Sequence, residues 1–504
     1  MPLPSLAVYP RVAPAGRVQC WVGAFHYAEA PSLTWFVNDV EQRPTVVRPL
    51  ASARPVSDGW ADPDEPRVFT GLFEFTAPVI VPGRPHRIRV EPDEAMGDTV
   101  DAVRSLPKEI PEGPDHWFNI LLISCFYWKA DKTGAVGRLV RRLPASYRPD
   151  MALLLGDQVY LDLPPFYPFR SNAAWLAKRF EETYSRNWKE ERAYRSVLSA
   201  TPSVSIPDDH EYWNNFPHWA TIIPVTWKDD GRQEWKAAAA RMYEAFQRPA
   251  VGLPADLAVN GVTGFNLGDP VVITVPPLSL FILDSRSCRS ADKKHSVNPK
   301  AIAVLKKWVD DVKAKEHFGV IATGQSYLEK AADWKGRFTD FTLLNYEDIE
   351  PQIEQILELA YGGGRPVILI TGDVHWGRFA ATRAGQSGPR LIYEVISSPT
   401  ALVEDPRAKL SLRGLFRGSR DPWPFHSEPK TPPRDFGVSK RPDRILHSEM
   451  LHRQKGNHVA LLSFQRHGLG IRMRTAYWPV HSDFQGRAPT LMTTEVLKRE
   501  LLPQ

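Results

Sequence analysis

Cysteine is scarce in this chain: among 504 residues there are three, Cys20, Cys125 and Cys288. Three scattered cysteines are too few for a disulfide framework or for a CxxC zinc site. We therefore expect the protein to fold without disulfides, as proteins of a reducing compartment do.

Long apolar runs are also absent. The longest apolar segment, residues 270–283, is interrupted by polar residues and prolines and is shorter than the roughly 20 residues that a membrane-spanning helix needs. The N-terminus shows neither the basic start and apolar stretch of a signal peptide nor a twin-arginine pair. The sequence therefore predicts a cytoplasmic protein with no membrane span.

An excess of positive over negative charge is absent outside a single segment. The net charge is +5, and residues 407–444 carry ten Lys or Arg against four Asp or Glu, so this segment alone accounts for the positive charge. Six prolines between residues 422 and 442 exclude a helix there. We expect a long basic loop, either solvated on the surface or acting as a lid that attracts an anionic substrate.

The length and the residue pattern predict at least two domains. Residues 1–112 alternate apolar and polar at a period of two between turn clusters, which is typical of an all-β sandwich of the immunoglobulin or fibronectin kind. From residue 119 onward, short aliphatic strands alternate with helical stretches, which indicates an α/β domain. We place this domain at residues 113–480 and a C-terminal tail at residues 481–504.

Short polar clusters follow four aliphatic runs, where buried strands are predicted to end. The clusters are Ser124-Cys125, Gly156-Asp157-Gln158-Val159-Tyr160, Asp208-Asp209-His210-Glu211, and Gly372-Asp373-Val374-His375-Trp376. Each residue alone has a structural explanation, such as a helix cap or a core side chain. Because open α/β folds bind ligands at the carboxyl edge of the sheet, we expect the four clusters to form one site, a metal centre.

The residue types indicate which metals would fit. Carboxylates suit hard cations, whereas the Cys125 thiolate and the Tyr160 phenolate favour an oxidised transition metal such as Fe(III). Asp157 could bind the same ion and also bridge to a second one.

Two other pairs would add ligands for a total of two or three cations. Asn214 lies four residues after His210 and shares its face if that turn is helical; Asn215 is the alternative if it is not. Asp373 and His375 are two residues apart and would point to the same side of an extended strand end.

These clusters, with Asn214-Asn215 and Asp284-Ser285-Arg286, resemble in their order the motifs of the PhoD-like alkaline phosphatases, a family of the calcineurin-like metallophosphoesterase superfamily. The resemblance covers about residues 119–480. It implies an α/β fold, a four-layer αββα sandwich, preceded here by the N-terminal β-sandwich domain.

The resemblance also implies roles for individual residues. Fe(III) would be held by Cys125, Asp157 and Tyr160, and Asp157 would be shared with a second cation, often Ca²⁺. Completing the site would be Asp209, Asn214, Asp373 and His375. His210 would contact phosphate or protonate the leaving group, and Arg286 would contact phosphate. The implied reaction is hydrolysis of a small phosphoester, monoester or diester, by a metal-activated hydroxide that attacks phosphorus in line.

Two other classes of protein stay open from the sequence. A regulatory or binding protein could keep the metals and have lost turnover, with the β domain as its partner module. A nucleic-acid binder would use the basic segment and its aromatic residues Phe416, Trp423, Phe425 and Phe436, and its binding would depend strongly on salt. In the phosphoesterase interpretation, nucleic acid enters only as a possible substrate.

Overall fold

A computed structural model of the chain describes residues 3–93, 96–131, 133–164, 166–249, 251–259, 261–331, 342–385, 387–402, 429–438, 441–481 and 488–498. The strands are β1 Ser5–Arg11, β2 Val18–Tyr27, β3 Leu33–Val37, β4 Val40–Glu41, β5 Thr45–Ser52, β6 Arg67–Phe75, β7 His86–Pro92, β8 Asp98–Val103, β9 Phe118–Ile123, β10 Met151–Leu155, β11 Ser203–Ile206, β12 Val271–Val275, β13 Leu278–Leu283, β14 Phe318–Thr323, β15 Val367–Thr371, β16 Gly377–Ala384, β17 Arg390–Ile396, β18 Asp435–Phe436, β19 Leu446–Gln454, β20 His458–His467, β21 Gly470–Pro479 and β22 Leu491–Leu497. The α-helices are α1 Ala135–Arg142, α2 Ala173–Lys189, α3 Arg195–Leu198, α4 Asp229–Phe246, α5 Pro299–Ala314 and α6 Ile349–Gly362.

Two large sheets carry most of the chain. The ten-stranded sheet has the order β22-β21-β20-β9-β10-β11-β1-β2-β6-β5, and the eight-stranded sheet has the order β12-β13-β14-β15-β17-β16-β19-β18. Strands β9, β10 and β11 are parallel neighbours in the first sheet, and β13, β14 and β15 are parallel neighbours in the second. The predicted mixed α/β fold is confirmed.

Three apolar cores organise these sheets. One contains residues from β9, β10 and β11 together with residues from β13, β14 and β15, so it lies between the two sheets. A second joins the ten-stranded sheet to α1, α2 and α4, and a third joins the eight-stranded sheet to α5 and α6. Strands β9, β10, β13 and β15 are buried at every residue, which explains why they read as continuous aliphatic runs and not as alternating ones.

The helices begin where their sequences indicate. Asn298 caps α5, its side chain accepting a hydrogen bond from the Lys300 amide, and Pro299 occupies the first turn. Asn172 caps α2 in the same way, accepting from Trp175. Ile349, Ile353, Ile356 and Leu357 recur at helical spacing, which predicts a helix from about Tyr346 to Tyr361. This helix is α6, which starts at Ile349 because a short 3-10 helix and a turn precede it.

The first 103 residues supply strands to two sheets. Strands β1, β2, β5 and β6 extend the ten-stranded sheet, while β3, β4, β7 and β8 form a separate four-stranded sheet. A shared core of apolar side chains lies between these two groups. Strand β1 pairs in parallel with β11, so the N-terminal strands continue the sheet of the α/β region at its edge.

The opposite face of β2 and β6 is buried as well. Trp21, Phe25, Val68 and Leu72 belong to the core that contains α2 and α4, and β6 is buried at every residue. The sequence alternation identifies these strands correctly, but their second face lies under helices and not in water.

The end of the chain closes the ten-stranded sheet. The two closing strands predicted after residue 457 are β20 and β21, and β20 pairs with β9. Strand β22, within the segment predicted as a tail, pairs with β21. Of the predicted basic loop, residues 407–428, 439 and 440 lie outside the described residues. Within the described part of the chain, no helix is both long and apolar enough to cross a membrane.

Candidate metal centre

Four strand ends deliver the candidate ligands to one place. Cys125 follows β9, Asp157 follows β10, Asp208 and Asp209 follow β11, and Asp373 and His375 follow β15. Because β9, β10 and β11 run parallel, their carboxyl ends meet at one edge, and β15 reaches that edge from the facing sheet.

The ligand atoms form three overlapping groups, each with all its ligand atoms within 4.8 Å of one another. The groups are Cys125, Asp157 and His375; Asp157, Asp209 and His210; and Asp208, Asp209 and Asp373. Asp157 belongs to two groups, as does Asp209. The arrangement therefore has the form of adjacent cation sites that share carboxylates.

Tyr160 lies at the same centre. Its hydroxyl is 3.5 Å from Asp157 Oδ2, and the Cys125 Sγ is 3.4 Å from that same oxygen. The Tyr160 ring also packs on the His210 ring with centroids 4.2 Å apart. The thiol, the phenol and the carboxylate thus converge on one point.

The backbone at these positions adopts the left-handed region that residues other than glycine rarely occupy. The φ angle is +53° at Cys125, +57° at Asp157, +72° at Asn215, +64° at Asp373 and +58° at His375. Such a conformation costs free energy and persists where the surrounding structure holds it, commonly at functional sites.

This backbone corrects the expectation for Asp373 and His375. Strand β15 ends at Thr371, and both residues lie in left-handed conformation after it, so they are not two positions of an extended strand. They still reach the centre, but through a tight turn.

Glycines allow the close approach of the loops. A Cβ on Gly156 would lie 2.5 Å from the Asp208 Cβ, and one on Gly372 would lie 2.5 Å from both the Leu155 carbonyl and the Ser124 Oγ. These contacts are too short for a side chain, so glycine is required at both strand ends.

His210 is held by a carboxylate. Its Nδ1 lies 2.9 and 2.8 Å from the two oxygens of Asp162, which is fully buried. Burial alone would lower the pKa of His210, but the carboxylates of Asp162, Asp209 and Asp157 raise it well above its ordinary value. The contact with Asp162 fixes the ring and leaves Nε2 as the nitrogen available to the site.

Burial has opposite effects on the pKa values of His375 and Cys125. Burial and the nearby His210 lower the pKa of His375 to about 3, so its imidazole is neutral and able to ligate. Burial and the neighbouring Asp157 and Asp373 raise the pKa of the Cys125 thiol well above its ordinary value. A bound cation reverses this effect, because it favours the thiolate.

A buried polar atom tests whether these residues fit a cation. Asp208 is fully buried, its Oδ1 accepts from Arg286 Nε, and its Oδ2 has no hydrogen-bond partner. A buried carboxylate oxygen without a partner is costly. Since Asp208 is also one of the grouped ligands, a cation would supply the missing partner.

Arg286 lies behind Asp208. Its side chain is fully buried, and besides Asp208 its guanidinium donates to the Phe216 carbonyl at 2.9 Å. The structure thus brings Arg286 to the site through Asp208, and its contact with phosphate stays a prediction.

The two asparagines are distinguished by the turn that precedes them. The short 3-10 helix covers only Asp209–Glu211, so the spacing of four between His210 and Asn214 does not place them on one helical face. Asn214 is half-buried and its amide donates to Asp162. Asn215 is buried, and its backbone N–H donates to Asp209 Oδ2 at 2.7 Å.

Sequence reasoning missed several residues of the centre. Asp208 and Asp162 were each one or two positions from a chosen residue, and only side-chain contacts distinguish them. Gln325 follows β14, and its Nε2 donates to Asp373 Oδ2 at 2.9 Å. The aliphatic run before it ends in Thr323-Gly324 and is a signal of the same kind as the four aliphatic runs that precede the polar clusters.

Glu211 connects two of the ligand loops. Its carboxylate accepts the backbone amides of Asp157 at 2.8 Å, Gln158 at 2.6 Å and Asp208 at 2.8 Å. The sequence shows Glu211 within a polar cluster but gives no indication that it joins two loops, because the Asp157 and Gln158 amides are distant from it in the chain.

Comparison with known proteins bears on the fold. No family model matches the chain, and no curated protein matches it. Among solved structures, the chain is similar to the structure of PhoD, with a TM-score of 0.56 and 12% identity over 97% of this chain and 88% of that one. The chain therefore has a PhoD-like fold. A structure of GAP50, the anchor in the inner membrane complex of Plasmodium, matches with a TM-score of 0.33 and 8% identity over 76% of this chain and 90% of that one.

Proposed function

We propose that the protein is a metal-dependent phosphoester hydrolase. The observation that carries this proposal is the set of three overlapping ligand groups sharing Asp157 and Asp209 at the edge where the two sheets meet. Two cations about 4 Å apart can bind a phosphoryl group and activate water, as in many phosphatases. The similarity to PhoD in fold supports the proposal, as does the four-layer αββα arrangement with an N-terminal β-sandwich that we propose for the chain.

We assign the metal ligands by chemistry and position. Cys125, Asp157 and Tyr160 suit Fe(III), since thiolate and phenolate favour an oxidised transition metal. The oxygen-rich remainder suits Ca²⁺ or another hard cation; it comprises Asp208, Asp209, Asp373 and one asparagine, with His375 at the border between the groups. Its burial and the hydrogen bond from its backbone N–H to Asp209 favour Asn215 over Asn214 as the residue whose side-chain amide binds the cation.

The protein groups around the cations divide the remaining work. When bound, the cations supply charge stabilisation and an activated water. His210, oriented by Asp162, donates a proton to the leaving oxygen through Nε2. Arg286 holds Asp208 in place. Because its guanidinium donates to Asp208 and to the Phe216 carbonyl, its contribution to phosphate binding is electrostatic.

Hydrolysis of model esters tests the proposal. An aryl phosphate monoester and a bis-aryl phosphate diester are offered to the purified protein before and after chelation, and its metal content is measured. We expect turnover that chelation removes and that Asp157→Ala lacks together with its metal. Asp310→Ala, an exposed carboxylate of α5, should retain both.

The two substrates also separate the alternatives. The ratio of monoester to diester turnover defines the class of ester. Metal binding without turnover of either ester would contradict the proposal and favour a regulatory metal protein.

A further inference from the structure

Exposed aromatic side chains are concentrated beside the candidate metal centre. Within the described residues, four aromatic side chains are exposed: Phe166 at 67%, Trp219 at 43%, Trp227 at 57% and Phe265 at 45%. The first three lie on the two loops that leave β10 and β11, the same loops that carry Asp157, Asp162 and Asp209. We call these three residues the aromatic rim.

The two loops are joined to each other. The Phe166 amide donates to the Ile222 carbonyl at 2.8 Å, and the Asn214 amide donates to Asp162 Oδ2 at 2.8 Å. Trp227 Nε1 donates to the Ala220 carbonyl at 2.9 Å, which places this indole against the backbone next to Trp219. The two loops that carry the rim are thus held to each other by hydrogen bonds.

The loops of the rim are also hydrogen-bonded to residues of the centre. The Asn215 amide donates to Asp209, and the His218 amide donates to the Asn215 carbonyl at 2.9 Å, so Trp219 follows a turn anchored on a candidate ligand. On the other loop, Phe166 lies four residues after Asp162, the partner of His210.

Hydrogen bonds hold the loop that carries Trp219 and Trp227, although both side chains are exposed. Thr226 Oγ1 accepts from the Ala220 amide at 2.9 Å and donates to the Ile223 carbonyl at 2.8 Å, which keeps the loop of Trp219 and Trp227 in one shape. The exposed part of an apolar ring gains no burial free energy on folding, and contiguous exposed apolar surface commonly marks a binding site. A preformed surface also loses little conformational entropy on binding.

We propose that the aromatic rim binds a planar aromatic group, such as a nucleobase, carried by the phosphoester whose phosphoryl group lies at the metal centre. This inference rests on the proposed function and names its substrate class. Two tryptophans and a phenylalanine favour a planar ring over an acyl chain, because every base offers a π-face to stack on.

Matched pairs of substrates test the rim. Adenosine 5′-monophosphate and ribose 5-phosphate have the same reacting ester and differ in the base alone. Phosphatidic acid in mixed micelles and glycerol 3-phosphate differ in the acyl chains alone. Methyl diesters of the four compounds serve if only diesters are hydrolysed. Each kcat/KM is measured for the wild type, Phe166→Ala, Trp219→Ala and the control Phe265→Ala, with metal content as the check on folding.

We expect the first two variants to lose about five- to a hundredfold in kcat/KM for adenosine 5′-monophosphate, as expected for one lost stacking contact. The activity of these two variants on ribose 5-phosphate should be unchanged. The control variant Phe265→Ala should keep the wild-type activity on both substrates. An unchanged ratio of the two activities would overturn the proposal, and so would a loss confined to phosphatidic acid.

Binding separates this inference from the proposed function. Calorimetry with adenosine 5′-monophosphate is carried out on the same metal-loaded variants. If the wild type binds adenosine 5′-monophosphate and Trp219→Ala does not, while no ester is hydrolysed, binding by the aromatic rim is supported and the hydrolase proposal is wrong. If the wild type hydrolyses esters but the variants bind adenosine 5′-monophosphate equally well, the rim fails alone.

Discussion

At the scale of single residues, the contact between His210 and Asp162 defines the proposed proton donor. Both oxygens of Asp162 lie within 2.9 Å of Nδ1, and the His210 side chain is 13% exposed. The ring therefore has one nitrogen occupied by a structural partner and one directed to chemistry. This division is testable without altering any metal ligand assigned above.

We expect His210→Asn to slow hydrolysis in proportion to the basicity of the leaving group. An alkyl phosphate, whose leaving oxygen needs a proton, should lose about 10²- to 10⁴-fold in kcat, whereas a nitrophenyl ester should lose much less. Asp162→Asn should show the same trend with a smaller loss. Equal losses for both esters, measured with metal content unchanged, would exclude proton donation by His210.

The sequence predicted the residue types of the centre better than their conformations. Cys125, Asp157 and His375 were identified from their positions after aliphatic runs, because such runs are buried strands and their ends meet. The left-handed backbone at these residues and the pairing of Asp162 with His210 depend on loops distant in the chain. Local spacing contains no information about either.

At the scale of elements, Glu211 determines how the loops after β10 and β11 lie together. Its carboxylate accepts three backbone amides from these loops, and Gln247 Nε2 contributes a fourth hydrogen bond at 3.2 Å. Each buried amide left without an acceptor costs about 1 to 3 kcal/mol. Glu211 is therefore a positioning residue for Asp157 and Asp208.

We predict that Glu211→Ala destabilises the protein by at least about 3 kcal/mol, because three buried amides lose their acceptor, and that it weakens metal binding further. Urea unfolding and a metal titration measure the two effects. Glu211→Gln retains one acceptor oxygen and should lie between. Glu182→Ala, an exposed position on α2, is the control; metal affinity equal to the wild type in Glu211→Ala would contradict the positioning function.

Strand β20 contains a group that makes the fold sensitive to acid. His458 is fully buried, its Nδ1 contacts the Gly456 carbonyl at 2.8 Å, and its Nε2 has no hydrogen-bond partner. Burial lowers the pKa of His458 to about 4 from an ordinary 6.5. Between these values the unfolded chain binds a proton that the folded protein does not, so stability falls as the pH falls through this window.

The free energy of unfolding should therefore decrease by up to about 3 kcal/mol between pH 6.5 and pH 4 through His458. His458→Gln cannot titrate and should show a smaller decrease. Denaturant unfolding of both proteins at pH 7 and pH 5 gives the comparison. Identical pH dependence in the two would show that His458 does not contribute.

The elements themselves were largely predictable, and their partners were not. The caps Asn172 and Asn298 act on adjacent residues, so the sequence shows where α2 and α5 begin. The pairing of β1 with β11 joins residues that are distant in the chain, and nothing in either strand indicates its neighbour.

At the scale of the whole molecule, the N-terminal strands and the α/β region share a core. Arg54, which is 2% exposed, pairs with Glu181 of α2 at 3.1 Å, and Trp21 Nε1 donates to the Ala245 carbonyl of α4 at 2.8 Å. Surfaces joined by buried polar contacts and a common apolar core unfold together. The two predicted domains should therefore behave as one cooperative unit.

We expect tryptophan fluorescence and metal release to report the same urea midpoint. Arg54→Ala should lower both midpoints together. The free energy of unfolding should fall by about 3 to 5 kcal/mol, since the variant leaves Glu181 buried without its partner. Arg87→Ala, which removes ion pairs with the exposed Asp39 and Asp101, should cost less than about 1 kcal/mol. Separate midpoints would show that the N-terminal strands unfold on their own.

The position of β9 between β10 and β20 sets the order in which the protein can fold during its synthesis. Cys125 leaves the ribosome early, but β20 is complete only after residue 467 of 504 has been added. Until then β9 lacks one of its two neighbours, and the ligand loop that follows it has no fixed place. In the proposed metal centre, loading through Cys125 would therefore follow the synthesis of β20.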